Sequence, residues 1–150
     1  MSIGFLSLII LSMSTFDSTY LYAETDSQKC WNNAMTQMAM NNCASQDYQS
    51  EDVQLNETYQ QIELKYQKNP SFLAALKTSE EIWLKFRDAQ LAMMYPPELP
   101  GNYGSDCEMC QWEYLSQLTH SRTSELKKWL IPPDDSDVCT GSIGEVNSSQ

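Results

Sequence analysis

The chain has 150 residues, a formal net charge of −11 and 41% hydrophobic residues, which fits one globular domain. Its 20 acidic residues outnumber the 9 basic ones, and no cluster of Lys and Arg exceeds Lys127-Lys128. Because such a surface repels phosphate groups, the composition excludes a nucleic-acid-binding protein. Only five Gly and six Pro are present, so the chain is not a low-complexity sequence.

The first segment is an apolar run from Ile3 to Met13. It is too short to cross a membrane, which takes about 20 apolar residues, but it has the length of a secretory signal core. Ala23 offers a small residue for cleavage. We therefore expect residues 1–23 to be a signal peptide and the chain from Glu24 onward to be periplasmic or secreted, with a charge of −10 and no membrane anchor.

Apolar residues recur at spacings of three, four or seven and predict three helices, at about residues 37–68, 72–94 and 106–130. Because the connections are short, the helices should alternate in direction and form an all-α, antiparallel three-helix bundle. This domain would cover residues 24–131. Residues 132–150 are polar, acidic and without periodicity, so we expect a disordered, mobile tail.

The segments predicted as helices are flanked by residues that typically begin or end helices. Thr36 is a plausible N-cap of the first helix, and Asn69-Pro70 should end it because Pro disfavours the helical conformation in the residue before it. The next two helix starts are predicted at Ser71 and at a capping box of Ser105 and Glu108.

Two charged residues, Asp52 and Arg122, fall on the predicted apolar stripes. A buried charge without a partner is costly, so we expect Asp52 to pair with Arg122 or Arg87 across the helices, with Asp88 as a competing acid. We interpret these groups as structural ion pairs rather than catalytic groups, because they lie among core positions.

Cys30 and Cys43 would lie about 20 Å apart on one continuous helix, beyond the 7 Å limit for a disulfide. If the segment before Thr36 is not helical and folds back along the first helix, the two residues can meet. We expect this bond, and with it an N-terminal segment tethered to the bundle.

Cys107 and Cys110 are one helical turn apart at a predicted helix N-terminus, where the helix dipole lowers a thiol pKa. They could form a redox centre, but the chain lacks the strand and helix alternation typical of such enzymes. We therefore favour a local structural disulfide. The only His, His120, lies about 15 Å along the helix from Cys110, so we expect no metal and no cofactor. Cys139 is left over and could link two chains.

Several spaced residues together resemble a known family. They include a D-x-x-L-N-x-x-Y pattern at residues 52–59 and a W-x-x-F-R-D pattern at residues 83–88. The residues that carry the resemblance are Cys30, Cys43, Asp52, Asn56, Tyr59, Trp83, Arg87, Asp88 and Arg122. The chain resembles the lysozyme inhibitor LprI-like N-terminal domain family, over nearly all of the sequence between the signal and the tail.

The resemblance implies a small, exported, helical bacterial domain, and some members of this family inhibit lysozyme. Members usually carry two further Cys at positions that are Leu91 and Tyr114 here. An antiparallel hairpin would bring these two positions together, so the absence of both fits the loss of one bridge.

An inhibitor of this kind needs no catalytic group, and we expect a non-enzymatic binding protein whose acidic surface attracts a basic lysozyme. The predicted contact site is the proline-rich loop after the second helix, with Tyr95, Glu98 and Tyr103 as anchors. The same loop could be only a stiff connector. Two other functions stay open: an envelope module that binds another protein without inhibiting it, and a thiol-disulfide enzyme using Cys107 and Cys110.

Overall fold

The computed structural model describes residues 24–96, 104–134, 136 and 138–144. These residues form four helices and contain no strand. The helices are α1 (Asp26–Asn33), α2 (Gln37–Lys65), α3 (Pro70–Met94) and α4 (Cys107–Lys127). The all-helical class is as predicted, but the number of helices is four rather than three. The predicted signal peptide lies outside the described residues.

The additional helix, α1, contains Cys30, which we predicted to be non-helical. The predicted disulfide is confirmed, since Cys30 is bonded to Cys43 with their Cα atoms 5.7 Å apart. The distance argument excludes a single continuous helix but not two helices joined by a bend. That bend is at residues 34–36, and α1 has its own capping box, formed by Thr25 and Gln28.

The observed caps match the sequence only in part. Thr36 is the N-cap of α2 as predicted, and its Oγ1 accepts a hydrogen bond from the Ala39 N–H. The N-cap of α3 is Asn69 rather than Ser71: Asn69 Oδ1 accepts from the Phe72 N–H, and Pro70 occupies the first turn. Proline is well suited to that position, because its missing N–H would have no helical partner there.

The capping box predicted for α4 is not formed. The N-cap is Asp106, and it makes no side-chain capping bond. The carboxylate of Glu108 instead accepts a hydrogen bond from Asn41 of α2, at 2.9 Å. Glu108 therefore joins two helices rather than closing the end of one.

Helices α2 and α4 run in the same direction, and α3 runs opposite to both. Contacts between α2 and α4 are closest, because small residues occupy much of the buried surface between them. These residues are Ala44, Thr58, Thr119 and Thr123. Helix α3 lies farther away, and long side chains such as Trp83 bridge the gap.

The hydrophobic core lies at the end of the bundle where α2 turns into α3. Its buried members are Leu55, Ile62, Tyr66, Leu76 and Leu126. Partly buried residues that include Tyr59, Phe72 and Trp129 pack around them. The rings of Tyr66 and Phe72 stack with centroids 4.2 Å apart.

Part of the expected mobile tail contacts this end of the bundle. Residues 138–144 form turns, and the Gly144 N–H donates to the hydroxyl of Tyr66 at 2.9 Å. Gly144 has a φ of 87°, a conformation that favours glycine. The described part of the tail is therefore anchored at Tyr66, where the sequence predicts no contact.

Candidate binding surface

Charge is distributed unevenly along the bundle. We define the acidic end as residues 24–54, 84–96 and 104–120, which hold nine acidic and three basic residues. The acidic residues are Glu24, Asp26, Asp47, Glu51, Asp52, Asp88, Asp106, Glu108 and Glu113. The other half, residues 55–83 and 121–134, holds equal numbers of each sign. The excess negative charge of the described residues therefore lies entirely at the acidic end.

A groove runs along the acidic end between α1, α2 and α4. Its first part, of about 380 Å³, is lined by Trp31, Ala44, Asp47, Glu113, Ser116 and Gln117. Its second part is lined by Glu51, Ser116, Gln117, His120 and Ser121. Because Ser116 and Gln117 line both parts, we treat them as one surface, the acidic groove.

Trp31 forms the aromatic wall of the acidic groove. Its indole N–H donates to Asp47 Oδ2 at 2.7 Å, and the neighbouring residue, Cys30, is bonded to α2. On the other side, His120 Nδ1 lies 3.2 Å from Glu51 Oε2. The groove thus combines an aromatic ring held in place with carboxylates, a combination that suits a cationic side chain of a partner.

A polar and aromatic cluster joins α2, α3 and α4 at the acidic end. The Tyr48 ring stacks on Trp112 with centroids 5.3 Å apart, and Arg87 donates to the Tyr48 hydroxyl at 3.2 Å. Arg87 also donates to Asp88 at 2.9 Å. Burial, the largest effect, raises the pKa of Tyr48, which is partly offset by the Arg87 charge, so the hydroxyl stays neutral.

Arg87 and Arg122, which we predicted to form structural ion pairs, bind acidic residues other than Asp52. Arg122 donates to Glu80 at 3.0 Å, and Arg87 pairs with Asp88. Asp52 accepts instead from the side chain of Asn56, one turn away on α2. The predicted pairing of Asp52 with an arginine is wrong because both guanidinium groups lie against α3, where closer carboxylates are available.

The remaining residues of the resemblance also make contacts within the bundle. Both guanidinium groups lie over the Trp83 ring, Arg87 at 5.5 Å and Arg122 at 6.0 Å from the ring centroid. Tyr59 packs against the core. Burial, the largest effect, and the charge of Glu63 both raise the pKa of its hydroxyl. These contacts give the motif residues a role in holding the helices together.

Cys107 and Cys110 are not bonded to each other, in contrast to the structural disulfide that we favoured from the sequence. Gln111 donates to Cys107 Sγ at 3.4 Å. Burial, followed by the charges of Asp106 and Glu113, raises the pKa of the Cys110 thiol. This shift opposes thiolate formation at Cys110 itself.

The predicted contact loop is described only at its start. Tyr95 is the C-cap of α3 and lies at the acidic end, whereas Glu98 and Tyr103 are outside the described residues. Within the described part of the chain, no group of three or more His, Cys, Asp or Glu is placed to hold a metal ion. No helix in that part combines the length and apolar character needed to cross a membrane.

Sequence reasoning did not find the acidic groove. Its first wall, Trp31, lies in a segment that we expected to be irregular, and its other residues come from α2 and α4. The capping box of Thr25 and Gln28 was the signal that could have located α1 and, with it, Trp31.

Known proteins match most of this bundle. Residues 30–126, from the first disulfide cysteine to the last buried leucine of α4, match the family described as Lysozyme inhibitor LprI. A protein of Rhizobium meliloti (strain 1021), named Uncharacterized protein R02472, is 32% identical over 138 residues, covering 83% of this chain and 92% of that protein. No solved structure matches the chain. The chain therefore belongs to the LprI lysozyme inhibitor family.

Proposed function

We propose that the protein inhibits lysozyme by binding the enzyme through the acidic end, without catalysis of its own. Membership of the family supports inhibition, and the uneven charge of the bundle supports the choice of surface. Export by residues 1–23 would place the protein in the periplasm or outside the cell, where a lysozyme is encountered.

The acidic end would act first at a distance and then by contact. A net negative surface steers a basic enzyme toward it and raises the association rate more than the final affinity. Affinity requires groups that fit the partner, and the acidic groove offers Trp31 as an aromatic anchor and Asp47 and Glu113 as carboxylates. A lysine or arginine side chain of the enzyme would enter here.

The loop after α3 is a second proposed contact. It starts at Tyr95, at the same end of the bundle as the groove, so both could face one enzyme. Glu98 and Tyr103 stay part of this proposal as anchors, and the three prolines between Tyr95 and Tyr103 would limit the entropy lost on binding.

Inhibition is tested by adding purified protein to a lysis assay with an animal-type and a bacteriophage-type lysozyme. The variants Asp47→Asn and Glu113→Gln each remove one groove charge, and Glu57→Gln and Glu125→Gln remove the same charge outside the acidic end. We expect each groove variant to lose about 0.5–1 kcal/mol of binding free energy, a two- to fivefold weaker inhibition, and the controls to lose less.

Two outcomes would contradict the proposal at different levels. If neither lysozyme is slowed at micromolar protein, the protein is not an inhibitor of these enzymes. If inhibition occurs but groove and control variants weaken it equally, the binding surface lies elsewhere. Rising salt should also weaken inhibition, because it screens the attraction between exposed charges.

A binding module without inhibitory activity is the second candidate, and the acidic end supports it equally well. Capture of an envelope protein by this chain, combined with unchanged lysozyme activity, would favour it. A thiol-disulfide enzyme is the third candidate, and the raised pKa of Cys110 counts only against that thiol as the attacking group. Insulin reduction that is lost in Cys107→Ser would support that activity.

A further inference from the structure

Helix α3 has a second apolar stripe that does not face the core. It consists of Ala75, Ser79, Ile82, Phe86, Ala89 and Met93, which we call the outer seam. Its large residues are well exposed, Ile82 by 61%, Phe86 by 50% and Met93 by 66%. The contacts of α3 with the bundle use mainly a different stripe, which includes Leu76, Trp83 and Arg87. Of the seam residues, Ser79 also accepts a hydrogen bond from Arg122 of α4.

The outer seam has the spacing and shape of a helix-binding surface. Its residues follow one another at steps of four, three, four, three and four, the pattern by which coiled-coil helices pair. A shallow depression at its N-terminal half is lined by Ala74, Ala75, Thr78, Ser79 and Ile82. Exposed apolar stripes of this kind typically mark interaction sites.

We propose that the outer seam binds the outer seam of a second copy of this chain, with the two α3 helices antiparallel. In a two-fold pair centred between Ile82 and Phe86, each Ile82 would lie opposite Phe86 of the other copy. Ala75 would then lie opposite Met93, so that small residues meet large ones. A parallel pair would place each large residue opposite its own copy.

The charge distribution supports both a second copy of the chain as the partner and the antiparallel orientation of the two α3 helices. Although the chain carries −11, α3 holds three acidic and three basic residues and is neutral, so two copies can approach through it. The acidic end lies at the C-terminal half of α3, and the neutral half of the bundle at its N-terminal half. An antiparallel pair places each acidic end beside the neutral half of the other copy, whereas a parallel pair brings two acidic ends together.

The dimer is tested by sedimentation equilibrium of the purified protein over a range of concentrations, comparing Phe86→Glu on the outer seam with Leu64→Glu on α2. Leu64 is 68% exposed, so the control adds the same charge at an apolar position outside the seam. We expect unmodified protein and Leu64→Glu to reach twice the chain mass. Phe86→Glu should weaken dimerisation at least about tenfold, because a carboxylate would be buried in an apolar interface.

Three results would overturn this proposal. The first is unmodified protein that stays monomeric at every concentration, and the second is an equal loss of dimer in both Glu variants. The third is a dimer that disappears in Cys139→Ser, which would show a disulfide link between chains instead.

Orientation is tested by mixing two chains in the Cys139→Ser background, one with Ser79→Cys and one with Ala89→Cys, and mapping oxidised peptides by mass spectrometry. Antiparallel pairing predicts a cross-link between position 79 of one chain and position 89 of the other. Cross-links only between identical positions, or none at all, would overturn the proposed geometry.

Discussion

The guanidinium group of Arg122 binds two side chains of α3, Glu80 and Ser79, each at 3.0 Å, and lies over the ring of Trp83. Both charged side chains of the ion pair are only about 15% exposed. Arg122→Met keeps the apolar stem and leaves the Glu80 carboxylate unpaired. We expect it to lower the free energy of unfolding by about 1–2 kcal/mol, less than for a fully buried pair because water still reaches this one.

Chemical denaturation measures this loss, and Lys128→Met is the matched control. Lys128 pairs with Glu125, and both side chains are more than half exposed. An exposed pair of this kind should change stability by no more than about 0.5 kcal/mol. Equal losses in the two variants would show that Arg122 does not hold α3 to α4 as described.

The thiol of Cys110 gives a prediction on pH dependence. Its pKa is raised above the ordinary thiol value by burial and by the charges of Asp106 and Glu113. Folding therefore favours the protonated thiol, and the associated stability is present below the ordinary thiol pKa and lost as pH rises through the folded value. We expect alkylation of Cys110 to begin at higher pH in the folded protein than in denaturant, as followed by mass spectrometry.

If Cys110 reacts at equal or lower pH in the folded protein, its surroundings favour the thiolate and the redox hypothesis regains support. Glu113→Gln removes one of the repelling charges and should shift alkylation toward lower pH. Cys139 is far from Glu113 in the sequence, so the pH dependence of its alkylation serves as the internal reference.

Ion-pair partners show why a sequence predicts burial better than pairing. The helical stripe correctly places Arg122 partly inside, with its side chain 15% exposed. The choice between Asp52 and Glu80 depends on how each helix is rotated about its axis. The spacing of residues along one helix does not reveal this rotation, because the rotation is set by packing against the other helices.

At the scale of elements, the three long helices are predictable because each has an apolar stripe and clear ends. Thr36 marks the start of α2 in both the sequence and the structure, whereas α2 ends at Lys65, before the predicted stop at Asn69-Pro70, which begins α3. Helix α1 has only eight residues and buries none of them, so it is too short to show a repeated apolar stripe. Its position against α2 comes from the disulfide and from Trp31, contacts that local periodicity does not encode.

The disulfide between Cys30 and Cys43 stabilises α1, a short helix that buries none of its own residues. Closing a loop of 13 residues in the unfolded chain is worth about 3 kcal/mol in the chain-entropy model. We expect the double substitution Cys30→Ser and Cys43→Ser to lower the free energy of unfolding by about this amount. Faster hydrogen exchange should appear in α1, because an isolated helix of this length is marginal in water.

The matched control is the pair Cys107→Ser and Cys110→Ser, which removes two thiols that are not bonded to each other. It should change stability less and leave exchange in α1 unaltered. Were α1 to stay protected without its disulfide, the hydrogen bond of Trp31 to Asp47 would be sufficient to hold it.

At the scale of the whole molecule, the bundle separates two kinds of surface. The acidic groove is lined by α1, α2 and α4, and no residue of α3 contributes to it. The outer seam lies on α3, the helix with no net charge. The proposed attraction of a basic enzyme and the proposed association of two copies would thus use different faces, so one would not exclude the other.

This separation gives a prediction that tests both proposals together. Phe86→Glu should be monomeric yet inhibit lysozyme as strongly per chain as the unmodified protein, because the acidic groove is intact. Asp47→Asn should show the reverse, a normal dimer with weaker inhibition. Lysis assays and sedimentation on the same preparations measure the two properties. If Phe86→Glu loses inhibition, the outer seam contacts the enzyme or dimerisation is required for binding, and the two faces do not act independently.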